Sequence, residues 1–187
     1  MKRILFALTV VLLAVCVAGC GKITEARQRR PFIQSASNLK QIGLACKTYA
    51  IDFKGNFPDD FTTLVKKEYL TDTTTYIAPL DSRRKASKDK AILPANTSYV
   101  YVGKGLSEND NADLPLAFEK PDVVSELGGD LKGRCNVLYI GGFVSNVKVK
   151  GQTCKAIAQE LTAGAASSDA KQVAIILANA EAADEAK

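Results

Sequence analysis

Apolar positions along this chain change their spacing several times, and each change marks a different element. Lys2 and Arg3 precede an apolar run from Ile4 to Val15, interrupted only by Thr9, which gives way to small residues at Cys16 to Gly19 and polar ones from Gly21. So short a run behind a positive start predicts a signal peptide, because a bilayer-spanning helix needs roughly 20 apolar residues. From 21 to 55 the pattern predicts one long helix: Ile33, Ala36, Leu39, Ile42 or Gly43, Cys46, Tyr49 or Ala50, and Phe53 recur at steps of three and four. Gln34, Ser37, Asn38, Lys40, Gln41, Lys47 and Asp52 fall between them and define a wet face. Pro31 starts or kinks this helix, and Gly55 and Pro58 end it.

A second, short helix is expected from Asp60 to Leu70, capped by Asp60, with Phe61, Leu64, Val65 and Tyr69 inward. The period then shortens. Tyr76 to Pro79, Ser98 to Val102, Leu116 to Phe118, Asn136 to Ile140 and Phe143 to Val149 are short, β-branched or aromatic, and bounded by turn formers, so they read as strands. Gly141-Gly142 reads as a two-residue hairpin turn between the last two. Polar loops separate them, a basic one at 82–90 and an acidic one at 108–113. Helical spacing returns at Thr153 to Leu161 and again from Asp169 to about Ala183, where Val173, Ile176, Leu177 and Ala180 share one side. That tail is either a weakly docked amphipathic helix or a partner-binding one.

This order of elements predicts an α+β fold, a long N-terminal helix packed on a small antiparallel sheet. Four segments follow: 1–19 a leader, 20–55 a tether and long helix, 56–150 an α+β globular part, and 151–187 a helical tail. About 168 residues remain after the leader, enough for one core. The formal charge of +5 falls to +3 once Lys2 and Arg3 are removed, with 23 bases against 20 acids, so a nucleic-acid partner has no support. The chain has no histidine, which removes the usual general base and the commonest metal ligand, and no diagnostic cluster of other catalytic groups replaces it. We therefore expect a protein that is not an enzyme.

Val17-Ala18-Gly19-Cys20 resembles the lipobox of bacterial lipoproteins, in which the cysteine takes up diacylglycerol before cleavage and becomes the first residue. The resemblance implies lipidation at Cys20 and a membrane partner held through the N-terminal lipid. Gly21 stands where an aspartate would be an inner-membrane retention cue. The outer membrane is thus the expected location, on its periplasmic or cell-surface side. Of the remaining cysteines, Cys46 lies on the predicted helix face, and Cys135 and Cys154 flank the hairpin as a candidate disulfide. The alternative is that all three are buried thiols.

Ser37-Asn38-Leu39-Lys40-Gln41-Ile42-Gly43-Leu44-Ala45, followed by Tyr49, Asp52, Gly55 and Phe57-Pro58, resembles the start of type II secretion pseudopilin-like proteins of the planctomycete and lentisphaeral kind. The likeness continues through Pro79 to Arg84, Ser98 to Gly103, Pro115 to Pro121 and Asn136 to Tyr139, and covers about residues 25 to 149. It implies a pilin-like fold and a structural role, with a partner in the envelope or in a secretion machine. A lipobox replaces the prepilin leader such proteins carry. Ala78 and Thr97 stand where many of them have cysteines, and Gly141-Gly142-Phe143 where they have Asp-Gly-His.

The resemblance also directs attention to calcium, the one candidate cofactor. Glu108, Asp110, Asn111 and Asp113 form an acidic loop with hard oxygen ligands, although its spacing is not that of an EF-hand. The basic residues Arg83, Arg84, Lys85, Lys88 and Lys90, and Arg27, Arg29 and Arg30 near the lipid, are candidates for acidic partners. Gly103-Lys104-Gly105 reads as a turn. Three functions compete: a non-catalytic envelope lipoprotein, a ligand- or calcium-binding module using loops 81–130, and a minor pseudopilin.

Overall fold

The computed structural model describes residues 2–186, with side chains described for 27–186. Its elements are α1 (Lys2–Asp52), α2 (Phe61–Lys66), β1 (Tyr99–Tyr101), β2 (Pro115–Glu119), α3 (Pro121–Ser125), β3 (Arg134–Tyr139), β4 (Val144–Lys148), α4 (Cys154–Thr162) and α5 (Ala170–Glu185). The four strands form an antiparallel meander in chain order, and α1 lies across β3 and β4, so the fold is α+β as expected. Among the described residues, no helix is long and apolar enough to cross a membrane.

Leu39, Ile42, Cys46, Tyr49 and Ala50 of α1 are buried, as the periodicity requires. Two positions depart from the expectation. Ile33 is 67% exposed, and Phe32 takes the inward place instead. Asn38, assigned to the wet face, is buried because its Nδ2 donates to the Ile77 carbonyl at 3.0 Å. Pro31 sits inside α1 rather than starting it. At Gly43 the helix comes so near β3 that a Cβ would lie 2.6 Å from Leu138 Cδ1, which explains a glycine in mid-helix.

Asp60 caps α2, accepting from Thr63 N–H at 2.7 Å. The segment predicted as a first strand, Tyr76 to Pro79, is instead the end of a 3₁₀ turn, Thr73–Tyr76, whose Tyr76 side chain enters the core against Phe61. The hairpin turn also differs. Tyr139 accepts from Gly142 N–H at 2.8 Å and donates to Phe143 O at 3.0 Å, so three residues, Ile140 to Gly142, connect the strands. Gly142 has φ +85°, the left-handed position that closes such a loop.

Residues of β2 are buried on both faces. By the register, Tyr99, Ala117, Glu119, Asn136 and Leu138 face α1, and Val100, Phe118 and Val137 point the other way. That second face is covered by the tail: α4 packs on β2 and α5 on β1, with Cys154, Ile157, Ala158, Ile176 and Ala180 buried. The tail closes on itself as well, since the Asp184 carboxylate accepts from the Cys154 and Lys155 N–H groups at 2.9 Å each and Lys155 pairs with Glu181. Residues 151–186 are therefore an integral layer of the domain.

Candidate functional site

The residues singled out from the sequence do not meet at one place. Cys20 lies outside the residues whose side chains are described. Cys135 on β3 and Cys154 in the first turn of α4 are buried thiols rather than a disulfide, and Cys46 on α1 is a third. The expected bridge between Cys135 and Cys154 is not formed. Burial pushes the Cys46 and Cys135 thiols upward, so neither is poised as a thiolate.

In the acidic loop, Asp110 accepts from Ser107 N–H at 2.7 Å and from Gln172 Nε2 at 3.0 Å. Asn111 donates to Asp169 at 2.7 Å and accepts from Asp113 N–H at 3.0 Å, and Glu108 N–H donates to Gly55 O. The loop's oxygens thus shape the loop and hold the tail. Among the described residues, no three His, Cys, Asp or Glu side chains form a group able to bind a metal. The basic loop is similarly engaged. Arg84 donates to Asp81 at 2.7 Å and Asp122 at 2.6 Å, Arg83 pairs with Asp81, Asp122 and Glu126, and Lys90 pairs with Glu68.

What the fold does bring together is a polar seam between α1 and the sheet. Ser35 of α1 donates to Glu119 Oε1 at 2.5 Å and shares a hydrogen bond with the Tyr99 hydroxyl at 3.0 Å. Glu119 also accepts from Asn136 N–H at 2.8 Å and Asn136 Nδ2 at 3.1 Å, and that same Nδ2 donates to Phe32 O at 3.0 Å. Ser35, Tyr99 and Glu119 are at most 2% exposed. Burial pushes the Glu119 carboxyl above the usual range, against the hydrogen bonds from Asn136 and Ser35 that favour its charged form. No basic side chain among the described residues forms an ion pair with it.

A second polar knot adjoins the seam. Asp81 accepts from Ser98 Oγ at 2.7 Å as well as from Arg84; burial opposes its ionisation, but these donors hold it below the usual carboxylate range. Lys120 N–H donates to Ser98 O at 2.9 Å, and its Nζ donates to Pro94 O at 2.6 Å. Burial, with the Arg84 charge nearby, lowers Lys120 to about 8.

Ser98, Tyr99, Glu119, Lys120 and Asn136 come from three separated motifs, and the pairings explain why polar residues recur in otherwise apolar strands. Sequence reasoning missed Glu119 and Ser35. The available signal was a carboxylate inside Pro115-Leu116-Ala117-Phe118-Glu119, a segment otherwise apolar enough to be buried on both faces. A hydroxyl and a carboxyl in contact are chemically capable of proton transfer, but at this burial neither meets solvent. Their evident effect is to fasten α1 to β2 and β3.

No known protein family, curated protein or solved structure matches this chain.

Proposed function

We propose that this chain is a non-catalytic, lipid-anchored envelope protein whose pseudopilin-like domain has a structural or interaction role. The observation that carries the proposal is Val17-Ala18-Gly19-Cys20 at the end of a short apolar run behind Lys2 and Arg3. Support for the pilin-like part comes from the long N-terminal helix laid on a four-stranded antiparallel meander. Support for a role other than catalysis comes from the absence of histidine in the sequence and from the burial of the seam. Gly21 favours the outer membrane.

Lipid attachment fits this chain because no filament-forming apolar helix is then needed beyond the leader. Two or three acyl chains make such attachment stable, where one holds only marginally. The test is intact mass and membrane fractionation of wild type and Cys20→Ser in a bacterial host. Wild type should lose residues 1–19, gain acyl mass and pellet with membrane, and the variant should do none of these. Identical processing of the two overturns the proposal.

A further inference from the structure

Beside the N-terminal part of α1, an open groove of about 920 Å³ runs between Arg29 and Ile33, the loop from Gly129 to Arg134, and the end of β4 at Lys148. Arg29, Lys132, Arg134 and Lys148 line it, and Lys150 follows directly in an adjoining groove shared with Lys132. One acid, Asp130, stands among them and pairs with Arg29 at 3.6 Å. Arg134 is held in place, donating to Asn146 Oδ1 at 2.7 Å and to Asp130 O at 3.2 Å. Asp122, the acid of the adjoining groove, is committed to Arg83 and Arg84. Lys132, Lys148 and Lys150 are exposed and have no ion-pair partner among the described residues.

This excess of positive charge sits at one pole of the domain, the pole nearest the proposed anchor. Cys20 lies seven residues before Arg27, a distance of at most about 25 Å even at full extension. An anionic leaflet attracts basic side chains within a Debye length, about 8–10 Å, and a tether this short keeps the groove returning to that layer. Ile33, 67% exposed at the groove's edge, offers an apolar side chain to the headgroup boundary.

We propose that this basic groove is a membrane-docking surface, which seats the domain on anionic phospholipid headgroups around the anchor through Lys132, Lys148 and Lys150. The proposal rests on the lipid-anchor reading, so its test is run without the lipid. All buried core residues among those described lie between Phe32 and Ala180, so the chain from Gly21 to Lys187 contains every one of them. That chain is sedimented with vesicles of phosphatidylcholine alone and of equal parts phosphatidylcholine and phosphatidylglycerol.

It should bind the anionic vesicles and leave the neutral ones. Lys132→Gln, Lys148→Gln and Lys150→Gln should each weaken binding roughly fivefold, and the triple variant on the order of a hundredfold. Lys171→Gln, on α5 and outside the groove, should change nothing, and circular dichroism should match between the triple variant and its parent. Equal binding to neutral vesicles, or a triple variant that binds like its parent, overturns the proposal. Displacement by inorganic phosphate at unchanged ionic strength also overturns it, because the groove would then be a small-anion site. The mass measurement on Cys20 reads the anchor separately: a full-length chain that gains no acyl mass sinks the anchor, while charge-dependent vesicle binding by the chain from Gly21 leaves the docking surface standing.

Discussion

On the α1 face of the sheet, Glu119 and Asn136 are bound by hydrogen bonds to Ser35 and Phe32; on the opposite face, β1 and β2 meet α4 and α5 chiefly through Ile157, Ala158, Ile176 and Ala180. The difference lies in directionality. Apolar burial is proportional to area and tolerates sliding, whereas a hydrogen bond requires distance and angle. A long helix crossing a sheet has many near-equivalent positions along its own axis. The seam selects one of them, because moving α1 by a turn would take the Ser35 donor from Glu119 and the Phe32 carbonyl from Asn136 in the core. The tail is a short hairpin already closed by Asp184, and its position is finished by Asn179 donating to the Val102 and Lys104 carbonyls at 2.9 Å each.

The largest expected effect tests the apolar side. Ile176→Ala should lower unfolding free energy by about 3 kcal/mol, read from the denaturant midpoint at constant slope, as cavity formation in a closed core demands. A loss below about 1 kcal/mol would mean that the tail is only loosely docked. Next comes the polar side. Ser35→Ala removes a donor to a buried carboxyl and should cost about 2 kcal/mol. Paired with Glu119→Gln in a double-mutant cycle, it should show non-additivity, and strictly additive losses would dissolve the seam as a unit.

The smallest effect is a pH dependence. Because burial raises Glu119 in the folded chain above its ordinary value of 4.5, the unfolded chain releases that proton at lower pH than the folded one. Its contribution is therefore full below about pH 4.5 and lost as pH rises through the folded value. Glu119→Gln should flatten that part of the stability curve while leaving slopes elsewhere unchanged. A curve of wild-type shape in the variant would place the titration on another group.

Much of the fold was legible in local pattern. The buried positions Leu39, Ile42, Cys46 and Tyr49 follow from three- and four-residue spacing, and Asp60 as a cap follows from its place before Phe61. Four of the five expected strands are present within a residue or two. Tyr76 to Pro79 failed because an aromatic, β-branched run has the same composition whether it joins a ladder or only buries one ring. Ile33 failed because Phe32 beside it fits the same stripe, and contact with Leu127 and Leu131 decides between neighbours. The acidic and basic loops were visible as charge, but not that Arg83 and Arg84 fold back onto Asp81 and Asp122.

By itself the sequence determined the α+β class, four of the strands and the buried stripe of α1 at Leu39, Ile42, Cys46 and Tyr49, because these follow from the spacing of apolar residues within a single element. Only the tertiary structure decided that Ser35 meets Glu119 across 84 positions, that Cys46, Cys135 and Cys154 are all buried, and that residues 151–186 cover a second face. Local pattern reports which side of an element is apolar. What that side touches depends on long-range pairing, where many partners of equal hydrophobicity compete and hydrogen-bond geometry chooses among them.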